Sequence, residues 1–143
     1  MKRFYFPLER VRRWRGEQAD LEAMKLERLF GELSALERQR AELLTERADA
    51  EALLKTRQPM AAEELSHLDS FRQYVQARCQ SIESLKQQQE DKIGKQREIL
   101  MEARRQYELL DRLRKKNLSK WRADSGKEQE ALAAEMFLAR WNP

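Results

Sequence analysis

Proline occurs at only three places in this chain, positions 7, 59 and 143, and the two stretches between them contain no helix breaker other than glycine. Proline lacks the backbone N–H and clashes with the preceding turn, so helix interiors exclude it. The pattern predicts two very long helices, helix one over about 8–57 and helix two over about 62–140, joined by a turn at about 58–61 around Gln58–Pro59–Met60. At about 1.5 Å per residue the first would reach roughly 75 Å and the second roughly 120 Å. Isolated helices of that length are not held by propensity alone; each needs a partner along its side. The expected fold class is therefore all-α, a long antiparallel two-helix coiled-coil hairpin with the second helix overhanging, and residues 1–143 form a single coiled-coil domain.

Composition points the same way. Charged residues make up 38% of the chain, against about 25% in ordinary domains. That density, with abundant Leu, Ala, Glu, Arg, Lys and Gln, is the compositional mark of coiled coils. A two-helix seam leaves no deep cleft for catalysis. One cysteine, Cys79, excludes an intramolecular disulfide and fits a reducing compartment. No apolar run approaches the roughly 18 residues of a membrane span, and MKRFYFPLERVRR lacks a signal-peptide core. A soluble protein with no membrane span is expected.

Spacing of 3 and 4 from Leu65 selects Leu65, Leu68, Arg72, Val75, Cys79, Ile82, Lys86, Gln89, Ile93, Gln96, Leu100, Ala103, Tyr107, Leu110 and Arg114, ten of fifteen apolar. This is the period of a left-handed coiled-coil seam. In the first stretch the same spacing selects Leu26, Leu29, Leu33, Leu36, Arg40, Leu43, Arg47, Ala50 and Leu54, and upstream of Met24 the apolar stripe changes phase to Leu8, Val11, Trp14 and Leu21. Folding back at Pro59 pairs residues whose numbers sum to about 119, which sets Leu29 near Gln89 to Ile93 and Leu8 near Asp111. From Arg112 onward helix two would overhang, leaving Leu118, Trp121, Leu132 and Met136 without a partner in the same chain. Gly126 marks a hinge or frayed end, since a helical glycine costs roughly 1 kcal/mol against alanine. The arginines and lysine on the seam would snorkel outward.

Charge is sorted along the chain. Residues 1–15 carry a net +5 and residues 104–122 a net +6, whereas the whole chain is only +4, leaving −7 for the remainder. Antiparallel folding would bring both basic segments together at the open end, forming a docking end for an acidic protein surface, a membrane surface or nucleic acid.

Chemistry-bearing motifs are missing. Gly94-Lys95-Gln96 and Gly126-Lys127-Glu128 lack the preceding glycine and the hydroxyl residue of a phosphate cradle. His67 has no neighbour at metal-ligand spacing, and Cys79 falls on the seam as a small core residue. No enzyme activity, cofactor or metal is expected. A second stripe is more informative. Phe71, Tyr74, Arg78, Ser81 and Leu85 follow one another at spacings of 3 and 4 beside the seam, at heptad positions g and c. Aromatic residues facing water are candidate contact surfaces.

The opening FYFPLERVRRWR, the segment SFRQYVQARCQSIESL and the closing EQEALAAEMFLARW resemble, in order and spacing, the FliJ family of flagellar type III export proteins. The resemblance covers nearly the whole chain and implies a stalk-like coiled coil. Implied partners are the flagellar export ATPase hexamer, the cytoplasmic domain of the export gate and export chaperones, with no nucleic acid. Export-gate binding would fall on Phe71, Tyr74, Arg78, Ser81 and Leu85, with Arg78 standing where the family favours an apolar residue. ATPase binding would fall on Arg10, Arg13, Trp14, Arg112, Arg114, Lys115 and Lys116. The implied location is cytoplasmic, at the inner face of the inner membrane through partners. Alternatives are the equivalent stalk of a virulence type III secretion system, a nucleic-acid-binding coiled coil and a plain structural spacer.

Overall fold

The computed structural model describes residues 2–56 and 61–141. The fold is all-α, built from α1 (Glu9–Lys55) and α2 (Ala62–Trp141). The turn expected at about 58–61 lies outside the described residues, except for Ala61.

Local chemistry sets the helix ends. Pro7 and Leu8 form a turn, the Glu9 N–H donates to the Phe6 carbonyl at 3.1 Å, and the Arg12 N–H donates to the Leu8 carbonyl at 2.8 Å. Glu9 then lies in the first turn of α1, with Lys55 in its last. Glu63 and Glu64 lie in the first turn of α2, with Arg140 in its last. Each charge complements the partial charge of its helix end. Within α2 the helix continues through Gly94 and Gly126, so the helix does not fray at Gly126. The glycine penalty of roughly 1 kcal/mol is small beside the propagation of the surrounding turns.

Contacts divide the chain into two units, one of Met1–Glu22 with Leu100–Pro143 and the other of Ala23–Ile99. In the second unit the core is the predicted seam. Leu68, Val75, Ile82 and Ile93 are buried, Val75 and Ile82 almost completely. Facing them, Leu26, Leu29, Leu33, Leu36 and Leu43 are half-buried. The charged seam residues do turn their heads outward: Lys86 reaches Glu37 at 3.5 Å, Arg40 reaches Glu83 at 3.8 Å and Arg72 reaches Glu51 at 2.7 Å. Leu65, expected on the seam, is half exposed.

Those three ion pairs join residues whose numbers each add to 123, four more than expected. In the first unit Arg12–Asp111 and Glu9–Arg114 add to the same figure. The ion pairs are thus displaced by about one helical turn from a fold centred on Pro59, while Gln89 still meets Leu29, as expected. Arg12, not Leu8, stands across from Asp111. The seam tolerates either register, because leucines recur along α1; what differs is that the observed one satisfies the facing charges.

The phase change expected upstream of Met24 is also absent. Stepping back from Leu26 by 4 and 3 gives Glu22, Ala19, Arg15 and Arg12, and these are the residues that turn toward α2. Ala19 is buried and the others are half-buried. Gly16, in the same sector, lets the Tyr107 ring approach so closely that an added Cβ would lie 3.2 Å from it. The large apolar residues Leu8, Val11, Trp14 and Leu21 are instead 39–49% exposed. Small and charged residues take the contact face here, where α2 presents the Tyr107 ring and the Asp111 carboxylate.

Candidate partner-binding surfaces

In the first unit the two basic segments do come together, and the structure sorts their charges. The Arg12 guanidinium donates to Asp111 from Nε at 3.1 Å and from a terminal nitrogen at 2.9 Å, and also to the Tyr107 hydroxyl at 3.2 Å. Asp111 holds the guanidinium in its charged form. Arg114 lies 3.3 Å from Glu9 and over the Phe4 ring at 5.8 Å. Lys115 pairs with Asp111 at 3.0 Å, and Lys115 and Arg12 together hold the Asp111 carboxyl below the usual carboxylate range. Among the proposed ATPase-contact residues, then, Arg114 is tied to Glu9 across the helix pair, while Lys115 pairs within α2 and is itself exposed. Arg13 is largely exposed, 3.4 Å from Glu9. Arg10, Arg112 and Lys116 are exposed, and none of the ion pairs found among the described residues involves them. Trp14 is 49% exposed, with the Arg15 guanidinium 4.8 Å from its ring centre. The outward-facing set is therefore Arg10, Arg13, Trp14, Arg112, Lys115 and Lys116.

Residues 2–8 do something the helical pattern gives no sign of. This segment lies against α2, with Phe6 buried, the Phe4 ring 6.0 Å from the Trp121 ring, and the Trp121 indole N–H donating to the Lys2 carbonyl at 3.1 Å. Trp121 and Leu118, expected to lack a partner in the chain, are half-buried as a result. The available signal was the aromatic triplet Phe4, Tyr5 and Phe6 before Pro7, since aromatic side chains ahead of a helix start need a surface to cover. Farther along, Leu132 and Met136 are 57% and 69% exposed, as expected. Phe137 and Trp141 stack on each other at 6.2 Å and are otherwise open to solvent.

In the second unit the second stripe stands clear of the seam. Tyr74 is 58% and Leu85 43% exposed, Arg78 and Ser81 are exposed, and Phe71 is half-buried. The Phe71 and Tyr74 rings stack at 6.5 Å with 28° between planes, so the two present one aromatic surface. Phe71 lies at the margin of the seam, and Tyr74 projects beyond it. His67 is exposed and Cys79 half-buried.

One seam position escaped the apolar rule with consequences. Gln89 is buried, and its side-chain amide donates to the Leu29 carbonyl at 3.0 Å and to a Glu32 carboxylate oxygen at 2.8 Å. That bond, helped by Arg28, holds Glu32 below the usual carboxylate range. Sequence spacing marks Gln89 as a flaw in the seam; the geometry makes it a cross-helix contact.

Among the described residues no helix is long and apolar enough to cross a membrane. No curated protein and no solved structure matches the chain. The sequence model of one family, described as the flagellar FliJ protein, matches residues 4–136. Since that span holds both helices' contact faces and the segment that packs on Trp121, the chain belongs to the flagellar FliJ protein family.

Proposed function

We propose that this chain is a stalk-like binding component of flagellar type III export, acting through contacts and not through catalysis. Family membership over residues 4–136 is the observation that carries the reading. In this reading the outward-facing basic residues Arg10, Arg13, Arg112, Lys115 and Lys116, with Trp14, meet the export ATPase hexamer. Arg114 serves the same face indirectly, by linking the two helices through Glu9. The stripe of Phe71, Tyr74, Arg78, Ser81 and Leu85 meets the cytoplasmic domain of the export gate. Export chaperones are handled by the same protein, which works in the cytoplasm at the inner face of the membrane through these partners.

Exposure supports both assignments. Tyr74 and Leu85 contribute little to the seam, and apolar side chains left at the surface in a row are suited to a partner. Arg10, Arg112 and Lys116 have their charge available for an acidic surface. The test is binding of the purified chain to the export ATPase and to the gate domain, measured with two variants. Arg10→Glu with Lys116→Glu is expected to weaken the ATPase contact and spare the gate; Tyr74→Ala is expected to do the reverse. Equal binding by both variants to both partners would remove the assignment. Tight DNA binding at physiological salt, with a steep salt dependence, would favour the nucleic-acid reading instead.

A further inference from the structure

Within the first unit two apolar surfaces are left uncovered. One is the stripe of Val11, Trp14 and Leu21 on α1, 41–49% exposed, with Arg10 along its outer edge. The other is the end of α2. At about 100° per residue, Leu132, Met136 and Ala139 fall in one narrow sector, with Glu128 and Glu135 along its side. Because α2 is one helix from Ala62–Trp141, its end cannot turn back to cover its own α1. The stripe and the helix end must find their partners elsewhere.

We propose that the two surfaces are the halves of one interface between two copies of this chain, each copy's α2 end lying along the other's α1. Charge fits this occupant. Val11 and Trp14 of the α1 stripe lie within residues 1–15, a segment of net +5, whereas residues 128–139 hold Glu128, Glu130 and Glu135 and no basic residue. The register closes on itself. Arg12 stands across from Asp111, so Trp14 lies level with residue 109 of its own α2. Placing Leu132 of the second copy beside that Trp14 makes the two α2 helices antiparallel about a two-fold axis near Trp121. Symmetry then returns the first copy's Leu132 to the second copy's Trp14. In the same register Glu128 comes level with Arg10 and the small Ala139 with Leu21. The result is a closed, isologous dimer in which every contact is made twice. Since the surface includes Arg10 and Trp14, a copy paired in this way could not present that face to another partner.

The measurement is sedimentation equilibrium of the full chain across a range of concentrations, with circular dichroism as the control for folding. The mass should rise from 17.1 kDa to twice that value. Leu132→Asp should keep full helicity, because the side chain is exposed, and should weaken dimerisation by roughly thirtyfold or more, as loss of an interface anchor does. Arg10→Glu and Glu128→Arg should each weaken self-association and, mixed with one another, restore a dimer, since both reciprocal pairs are then complementary again. A single 17.1 kDa species at every concentration overturns the proposal and leaves the two surfaces to a partner of another kind. A dimer indifferent to Leu132→Asp, or a mixture of the two charge variants that stays monomeric, overturns it as well.

Discussion

Ile82 and Tyr74 lie on one helix and should answer to truncation in opposite ways. Ile82 is 1% exposed at the centre of the seam, so Ile82→Ala removes buried surface and leaves a cavity. The expected loss is about 2–5 kcal/mol, read as a lower melting temperature. Tyr74 projects past the seam and touches Phe71, so Tyr74→Ala should stay within about 0.5 kcal/mol of the parent. A Tyr74→Ala protein that melts as early as Ile82→Ala would place the stripe in the core. Gln89 poses a finer question. Burial of an amide on the seam gives up apolar contact in return for two directed hydrogen bonds, and polar seam residues commonly fix register at a cost in stability. Gln89→Leu should therefore raise the melting temperature while loosening the register. Cysteines placed at the facing positions 37 and 86, with Cys79→Ser, report that register through their rate of disulfide formation. A slower cross-link beside a higher melting temperature is the expected pair of results; a lower melting temperature would mean that the hydrogen bonds outweigh the leucine.

At the scale of the elements, the glycines separate propensity from packing. Gly94 and Gly126 are helical, and nothing lies within 4 Å of where a Cβ would stand. Gly94→Ala and Gly126→Ala should each stabilise by up to about 1 kcal/mol. Gly16→Ala should not, because its methyl would meet the Tyr107 ring at 3.2 Å. If all three variants gain equally, the close approach of Tyr107 has no energetic weight. The same contrast explains what was legible in the sequence. Proline placement and the 3-4 spacing announce both helices and the buried Leu68, Val75, Ile82, Ile93 and Leu100, because these features are local and periodic. The four-residue displacement of the register is not local; it depends on which charges meet across the pair. At the start of α1 the contact face is made of Gly16, Ala19 and arginines, so a search for leucines follows Val11 and Trp14 to the wrong side. The outward stripe of Phe71 to Leu85 was legible, since its spacing sets it apart from the seam. The pairing of Arg114 was not, because the carboxylate that holds it, Glu9, lies far away in the chain.

The whole molecule is held together by many exposed pairs and few buried side chains, which makes it sensitive to acid. Among the described residues three carboxylates lie below their usual range: Asp111 through Lys115 and Arg12, Glu32 chiefly through Gln89, and Glu51 through Arg72 and Arg47. A group whose folded-state value is depressed adds stability above its unfolded value, near pH 4, and that contribution is lost as pH falls through the folded value. Arg12 moves the other way and stays charged across this range. The melting temperature should thus hold steady from neutral pH to about 5 and fall steeply below about 4. A second effect has the same sign. As the 25 acidic residues are protonated, the 29 lysines and arginines lose their counter-charges, and self-repulsion opposes close helix packing. Salt separates the two, since it screens repulsion between exposed charges but does not restore the charge-assisted strength of the bond that Gln89 donates to Glu32 once that carboxylate is protonated. Melts of the parent and of Asp111→Asn should be compared at low and high salt. Asp111→Asn should lower the neutral-pH melting temperature and flatten the acid decline, and added salt should recover only part of the parent's acid loss. Complete recovery by salt would assign the acid sensitivity to net charge alone and remove the local pairs as its cause.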